Sequence, residues 1–484
     1  MTTTQAAALL ALVGCAAGPD YVRPDFPSPA AYTEAGSWKP AQPQDADASQ
    51  PWWTRYGDAD LDALVAQANA ASQDIRIAEA QYRQARAAAQ LARAGYWPTV
   101  GAGVSVGRAR SQSANGPVTA DSHSLVLDAS WEPDLWGRVQ RSVEAGEAAA
   151  QASAADLAAA RLSIQAELVQ DYLQLRVTDA QKDLLQQTVQ EYGKALALTR
   201  SQYAAGVTNG ADVALAETQL QSTSAQTIDL GIQRAQFEHA VAFLTGRTPA
   251  EVSIAARPAG AFGLALPEIP AGLPSQLLER RPDIAAAERR AAAANASIGV
   301  AQSAYFPNLL FNAAGGFASG DLSQWLTSPS RIWSLGAALA ATLFDGGARR
   351  AQTDAAMAAY DGAVAQYKRT VLAGMQEVED NLAALRVLDQ ERAVQDAAVR
   401  SAGVAARSSL AQYRAGTATY LAVVTTQSMS LANQRTAVQL LGRQLAASAA
   451  LVKALGGGWN AADLAAGAVA AAPVPAAAPA AVSN

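Results

Sequence analysis

The chain repeats itself after about 210 residues, and this internal duplication constrains its fold more than any other feature. Four kinds of landmark recur at offsets of 209 to 211 residues: an aromatic–proline segment, an Asp and Arg pair, a Gln-Tyr segment and a Leu-containing turn. They are Tyr96-Trp97-Pro98 with Tyr305-Phe306-Pro307, Asp134 and Arg138 with Asp345 and Arg349, Gln202–Gly206 with Gln412–Gly416, and Leu244–Gly246 with Leu455–Gly457. Both halves are therefore predicted to fold as one kind of unit: helix, strand, strand, long helix, turn and long helix.

Long stretches without proline mark where helices can run, because proline breaks helix interiors. Residues 52–97, 134–248 and 330–472 contain no proline. Within them, apolar residues recur at alternating steps of three and four, a spacing typical of coiled-coil packing. The clearest runs are Leu157, Ile164, Leu168, Tyr172 and Leu175; Leu185, Val189, Tyr192 and Leu196; and Val364, Tyr367, Val371, Met375, Val378, Leu382 and Leu385. A helix over Leu135–Tyr203 would be roughly 100 Å long at 1.5 Å per residue.

Each half also contains two short segments in which apolar residues alternate with small or polar ones. The apolar faces are Val100, Ala102, Val104 and Val106; Leu125, Leu127, Ala129 and Trp131; Leu309, Phe311, Ala313 and Phe317; and Leu335, Ala337, Leu339, Ala341 and Leu343. This pattern is typical of membrane β-strands, and it also fits an amphipathic sheet packed on helices. Four strands cannot close a barrel, which takes about eight. Because an open sheet exposes its edges, we predict an oligomer.

The composition excludes several classes of protein. Charged residues make up 16% of the chain and the net charge is −6, which argues against a nucleic-acid-binding protein. The two histidines, His123 and His239, and the single cysteine exclude an internal disulfide and argue against a Cys/His metal site. Two isolated histidines also offer no catalytic triad pattern. The sequence therefore predicts no catalytic residues and no metal ligands.

The single cysteine, Cys15, follows the uncharged apolar stretch Ala6–Gly14. This arrangement resembles a bacterial lipoprotein signal, which is cut before the cysteine that then carries lipid. Met1–Gly14 has no Lys or Arg, unlike an ordinary signal peptide, and a buried free cysteine is the alternative. Ala16 after the cysteine, by the same resemblance, favours the outer membrane. We expect Cys15 to be the lipid anchor.

Five further segments, in this order, resemble the outer-membrane efflux factors, the TolC-like channels of the lipoprotein (NodT-type) branch. They are Gly18–Pro24, Trp52–Asp58, Trp131–Arg138, Leu278–Ile284 and Leu343–Gly347. The resemblance implies a homotrimer of mainly α fold with membrane β-structure, in which one 12-stranded β-barrel joins a long α-helical coiled-coil barrel in the periplasm. It also implies passive export of drugs or other small molecules, driven by an inner-membrane RND-type pump through a periplasmic membrane-fusion adaptor. No cofactor is implied beyond lipid on Cys15.

These expectations divide the chain into six parts. They are a signal peptide over 1–14, a lipidated extended arm over 15–57, a first repeat over 58–250, a linker over 251–274, a second repeat over 275–458 and an Ala/Pro-rich flexible tail over 459–484. Each repeat is expected to contain four helices and two strands.

The turns that follow the two long helices are predicted to contact the partner protein. Glycine is placed as a helix C-cap in Ala205-Gly206-Val207 and in Ala415-Gly416-Thr417. By resemblance these turns are periplasmic tips that contact the adaptor, although a plain helical hairpin also explains the glycines.

The resemblance places a polar gate beside these tips. Asp212 matches the family position in the first half, whereas Thr425 stands where many members carry Asp. Three Asp212 carboxylates near a trimer axis would repel one another, and a hydrogen bond from Tyr203 or Tyr413 would hold neighbouring helices shut. The alternative is that Asp212 is a solvated acid that complements the helix dipole.

Two other kinds of protein compete with an efflux channel. One is a coiled-coil lipoprotein that scaffolds the envelope without conducting, and the weaker one is an enzyme. The alternating strands favour the channel, because a scaffold does not need them.

Overall fold

The computed structural model describes residues 16–27, 29, 31–35, 51–114, 116–257, 267 and 277–461. The predicted signal peptide, Cys15, most of the linker and the tail beyond Ala461 lie outside the described residues. The first half contains α1 (Ala59–Ala71), α2 (Gln73–Ala94), β1 (Thr99–Ser113), β2 (Gly116–Trp131), α3 (Arg138–Ala204) and α4 (Gly210–Leu244). The second contains α5 (Leu277–Arg280), α6 (Pro282–Ser303), β3 (Asn308–Ser319), β4 (Arg331–Ala340), α7 (Ala348–Arg414) and α8 (Tyr420–Ala454).

The duplication is confirmed by the lengths of the helices. α3 and α7 each have 67 residues, and α4 and α8 each have 35. Both second-half helices begin 210 residues after their counterparts. The first predicted helix of each half is divided, at Ser72 and at Arg281. At Ser72 the backbone turns to ψ 130°, outside the helical region, which ends α1.

The predicted coiled-coil periodicity is confirmed by burial. Members of each run lie at or near zero exposure: Leu157, Leu168, Tyr172 and Leu175; Leu185, Tyr192 and Leu196; Tyr367, Val371, Val378 and Leu382. α3 begins at Arg138 instead of Leu135, because Gly137 has a φ of 76° and Asp134 accepts hydrogen bonds from the Val139 and Gln140 amides. The Asp134 side chain thus caps the helix and fixes its start.

The four strands form one antiparallel sheet in the order β1-β2-β3-β4. The junction between the halves pairs β2 with β3, for example Trp131 opposite Phe311. β4 ends at Ala340, so the predicted strand positions Ala341 and Leu343 lie beyond it. The chain there approaches Gly346 and Gly347, whose positive φ values redirect it into α7.

The chain folds as two compact units. Among the described residues, the sheet unit comprises those within 16–26, 81–153 and 286–368, and the hairpin unit comprises those within 27–80, 154–285 and 369–461. All four strands belong to the sheet unit, and the C-terminal ends of α3 and α7 belong to the hairpin unit.

The arm that precedes the first helix is held against the sheet unit by a buried arginine. Arg141 is 4% exposed and donates hydrogen bonds to the Ala17 and Gly18 carbonyls at 3.0 and 3.2 Å and to Asp20 at 2.8 Å. Gly18 has a φ of 92°, and a Cβ there would lie 2.4 Å from the Cα of Gly299. Only glycine therefore allows the arm to approach α6 this closely.

In the hairpin unit, a second buried arginine explains the Arg-Pro-Asp segment of the sequence. Arg281 donates to Asp283 at 2.6 Å, to Glu377 at 2.7 Å and to the Ala454 carbonyl at 3.1 Å. It thereby ties the start of α6 to α7 and to the last carbonyls of α8. Because the guanidinium is buried, these charged partners are required to offset its desolvation.

Candidate functional site

The turn between α3 and α4 forms a glycine C-cap. Gly206 has a φ of 70°, its amide donates to the Tyr203 carbonyl at 3.0 Å, and the Val207 amide donates to the Gln202 carbonyl at 2.9 Å. This is a Schellman motif, which satisfies the last carbonyls of α3. We call α3 and α4 with this turn the first hairpin.

The turn between α7 and α8 has nearly the same geometry, and we call these helices the second hairpin. Gly416 has a φ of 74°, and the Gly416 and Thr417 amides donate to the Tyr413 and Gln412 carbonyls at 3.0 and 2.9 Å. Ala205, Gly206 and Val207 of the first turn are exposed, as are Ala415, Gly416 and Thr417 of the second. Both predicted tips are therefore accessible surface turns.

The second hairpin is closed by a pair of buried tyrosines just behind its turn. Tyr413 and Tyr420 are 5% and 1% exposed, and their rings meet edge-to-face at a centroid distance of 5.2 Å. Leu196, Ala216 and Val423 complete this cluster, so it draws on α3 and α4 as well. The Tyr413 hydroxyl donates to Thr199 Oγ1 at 3.4 Å within the same chain.

The first hairpin lacks this closure. Tyr203, the repeat counterpart of Tyr413, is 54% exposed. The counterpart of Tyr420 is Gly210, and a Cβ on that glycine would lie 3.8 Å from the Tyr203 ring. The Tyr203 ring therefore lies beside bare backbone, with no aromatic side chain at the position that Tyr420 occupies in the second hairpin.

The two polar residues predicted for a gate differ in position and in bonding. Asp212 is half-buried in the first turn of α4, where it accepts a hydrogen bond from the Thr208 hydroxyl. Its amide donates to the Asn209 side chain at 3.0 Å, which caps the helix. Thr425 is exposed and donates to the Leu421 carbonyl of its own helix at 2.9 Å.

The repeat offset of 210 residues places Ala422 opposite Asp212 and Leu215 opposite Thr425. The first turn of α8 contains no acidic residue. The two predicted gate positions are thus not equivalent within the duplicated unit, and only the first hairpin carries a carboxylate beside its turn.

A groove of about 310 Å³ lies behind the turns, between α3, α7 and α8. Its lining includes the cationic side chains of Lys194, Arg407 and Arg414 together with Glu191. Sequence reasoning missed this groove, because its residues come from three helices and form no motif.

The sheet carries large apolar side chains on its exposed face. Five of them have exposed fractions of 66% to 82%: Val100, Val104, Trp333, Leu335 and Leu339. In the described part of the chain, the outer edges of β1 and β4 have no partner strand. Exposed apolar surface on this scale marks a contact with lipid or with protein.

The helices and acidic residues give two further findings within the described ranges. No helix there combines the length and hydropathy needed to cross a membrane. No group of three or more His, Cys, Asp or Glu side chains there is placed to hold a metal ion.

Comparison with known proteins gives a consistent result. The chain matches the family described as outer membrane efflux protein twice, over residues 64–247 and over residues 273–457. It is 32% identical to the pyoverdine export outer membrane protein OpmQ of Pseudomonas aeruginosa, over 86% of this chain and 89% of the relative. It is 29% identical to the antibiotic efflux pump outer membrane protein ArpC of Pseudomonas putida, over 93% of each.

A solved structure shares the fold. The outer-membrane channel OprN superposes with a TM-score of 0.85 at 30% identity, covering 92% of this chain and all of that one. The two family matches begin 209 residues apart, as the duplication requires.

Proposed function

This chain belongs to the outer membrane efflux protein family and is an outer-membrane efflux channel, and we propose that three copies of it close one conduit. The main support for this proposal is the four-stranded sheet, whose outer edges have no partner strand in the described part of the chain. Four strands are too few for a barrel, whereas three copies supply twelve. Pairing β4 of one copy with β1 of the next removes the edges and leaves the apolar face toward lipid.

The two tips are proposed to meet a periplasmic membrane-fusion adaptor, which joins the channel to an inner-membrane RND-type pump. Exposed backbone turns at Gly206 and Gly416 offer two similar surfaces per chain. The nearby groove with Lys194, Arg407 and Arg414 supports a partner whose contact surface carries carboxylates. A homotrimer would present six such turns.

Asp212 is proposed to narrow the entrance beside the first tip. Its half-exposed carboxylate supports this role, and Tyr203 next to it is largely exposed. Tyr413 is buried and bonds to Thr199 in its own chain, so its contribution would be to hold the hairpins together. Thr425 offers an exposed side chain whose hydroxyl is used within its helix.

A lipid on Cys15 is proposed to anchor the arm. Cys15 itself lies outside the described residues, but the next two residues are held on the sheet unit. The Ala17 amide donates to the Trp136 carbonyl at 2.9 Å, and Ala16 contacts Gly137. The anchor would therefore be delivered to the end of the sheet where β2 meets α3. Several acyl chains at about 0.8 kcal/mol per buried CH₂ hold a protein firmly on a membrane.

The cargo is proposed to be small molecules passed on by the pump. The named cargoes of the relatives differ, pyoverdine for OpmQ and antibiotics for ArpC. These relatives match nearly the same length of this chain, so the channel fold itself is not specific to one of these cargoes.

Conductance of the purified protein in planar lipid bilayers tests the proposal. We expect Asp212→Ala to raise single-channel conductance several-fold, because it removes the carboxylates that would converge at the entrance, with Thr425→Ala as the matched control. Unchanged conductance in an otherwise conducting Asp212→Ala channel would remove Asp212 from the gate. No conductance in either protein, with trimers present, would favour the non-conducting scaffold.

A further inference from the structure

Where the sheet joins the long helices, the aromatic residues next to the central strands are packed, whereas those next to the edge strands are exposed. Phe306, which precedes β3, stacks on Trp136, which follows β2, at a centroid distance of 4.9 Å and an interplanar angle of 17°. The Trp136 indole also donates to the Pro307 carbonyl at 2.6 Å. This contact joins the first repeat to the second within one chain.

The corresponding aromatic residue at the edge has no such cover. Trp97, the repeat counterpart of Phe306, precedes β1 and is 75% exposed, whereas Phe306 is 45% exposed. At the other edge, Leu343 and Phe344 follow β4 and are 94% and 88% exposed. The strongly exposed apolar residues at this end of the sheet thus belong to the two edge strands.

The pseudo-symmetry of the two repeats indicates which residues cover the exposed side chains of Trp97, Leu343 and Phe344. Within the chain, the segment after β2 covers the aromatic residue before β3. If three copies form a closed ring of six repeats, the segment after β4 must meet the residue before β1 of the next copy. The strands alternate in direction, so the end of β4 and the start of β1 lie at the same end of the sheet.

We infer that Leu343 and Phe344 of one copy pack on Trp97 of the next copy and form an apolar intersubunit contact where sheet and helices meet. At the position of Trp136 itself the second repeat has Gly346, so the bulk is supplied two to three residues earlier. Gly346 and Gly347 have φ values of 64° and 93° and no atom within 4 Å of an added Cβ. This open turn gives the segment room to seat its apolar side chains on a neighbour.

Lipid is the competing occupant, and the distribution of exposure disfavours it. A bilayer interface contacts central and edge strands alike, yet Trp131 and Phe311 at the centre stack on each other at 6.0 Å. The most exposed apolar side chains at this end of the sheet, Trp97, Leu343 and Phe344, lie where a second copy would arrive. A buried tryptophan such as Trp97 is the kind of aromatic anchor that contributes most to the energy of an interface.

This inference rests on the proposed trimer, and thiol crosslinking in membranes tests it. Trp97→Cys and Phe344→Cys are combined in the full chain and treated with a short bismaleimide before solubilisation. We expect the main band in a denaturing gel to shift from the mass of one chain to the masses of two and three. Each single variant should remain at one chain, which also controls for Cys15.

Two matched pairs sharpen the experiment. Trp136→Cys with Phe306→Cys should crosslink within a chain and leave its mass unchanged. Trp97→Cys with Leu326→Cys should not crosslink, because Leu326 is 60% exposed but precedes β4 at the far end of the sheet.

The oligomeric mass in detergent separates the possible failures. Intact trimers without the 97–344 crosslink would overturn this inference and leave the assembly standing, whereas a monomeric wild-type protein would overturn both. A spin label on Phe344→Cys that moves freely and collides with lipid-dissolved oxygen would assign these residues to the bilayer and also overturn the inference.

Discussion

The two hairpins have the same backbone and different interiors. Their helices are equal in length, and their turns share the same glycine geometry and the same hydrogen bonds. Behind the second turn Tyr413 and Tyr420 are buried against each other, whereas behind the first turn Tyr203 is exposed beside Gly210. The repeats differ here by Gly210 against Tyr420, and the cluster around Tyr420 also contains Leu196 and Ala216 of the first hairpin. Duplication therefore preserved the turn while allowing the packing beneath it to diverge.

The largest expected effect comes from removing the buried ring. Tyr420→Ala should destabilise the second hairpin by about 3 to 5 kcal/mol, because it leaves a cavity among Leu196, Tyr413 and Val423. Hydrogen exchange of the α7 and α8 amides near the turn measures this loss. The control is Tyr203→Ala, which should change exchange in the first hairpin by well under 1 kcal/mol. Equal effects in the two hairpins would contradict the difference in packing.

Substitution of the turn glycines, by contrast, should affect the two hairpins equally. Gly206→Ala and Gly416→Ala each place a Cβ at positive φ, which costs about 1 to 2 kcal/mol. A Cβ at either position would meet no atom within 4 Å, so the cost is backbone strain alone. We expect equal losses in thermal unfolding and in local exchange. A clearly larger loss at one turn would mean that the two backbones are not equivalent.

The helix caps offer a smaller and asymmetric effect. Asn209 accepts from the Asp212 amide at 3.0 Å, whereas the Thr419 side chain makes no capping hydrogen bond. Asn209→Ala should therefore cost about 1 kcal/mol and fray the start of α4. Thr419→Ala should leave the start of α8 nearly unchanged, and amide exchange over the first turns compares them. A larger effect at Thr419 would contradict these cap assignments.

The smallest effect at neutral pH concerns the Tyr420 hydroxyl, which finds no hydrogen-bond partner among the described residues. Tyr420→Phe should be neutral or stabilise by up to about 1 kcal/mol, because it removes a buried polar group. Burial, with Tyr413, Tyr192 and Asp212 nearby, raises the pKa of Tyr420 to about 12.

This shift gives the same residue a pH dependence with a definite sign. Since the ordinary tyrosine pKa is about 10, the folded state favours the neutral hydroxyl. The stability contribution is complete below pH 10 and is lost as the pH rises through 12. The free energy of local opening in the second hairpin, obtained from exchange rates corrected for base catalysis, should therefore fall from pH 10 to 12 in the wild type and much less in Tyr420→Phe. An equal fall in this opening free energy in both proteins would mean that ionisation of Tyr420 does not cause the pH dependence.

Much of the fold was predictable because its signals are local or periodic. Proline-free windows and three-four apolar spacing predicted α3 to within a few residues and indicated a long helix in the window that contains α7, and the alternating segments predicted all four strands. Strand and helix ends were less accurate. β4 was predicted through Leu343 but ends at Ala340, because the side-chain alternation continues past the last ladder hydrogen bond.

The candidate site was only partly predictable. The glycine C-caps follow from the sequence, since few residues other than glycine adopt positive φ. Asp212 and Thr425 were predicted from the resemblance alone, and the repeat offset of 210 residues places Ala422, not Thr425, opposite Asp212. The groove with Lys194, Arg407 and Arg414 had no sequence signal at all.

The sequence by itself determined the duplicated unit, the presence of its long helices and alternating strands, its turns and the family to which it belongs, because these depend on residue type and spacing along one chain. Only the tertiary structure decided that Tyr413 is buried while Tyr203 is exposed, although both stand in a Gln-Tyr-x-Ala-Gly segment. It also decided that Phe306 is covered by Trp136 while Trp97 is not. Burial depends on which side chains from distant parts of the chain pack together, and the local sequence does not specify that packing.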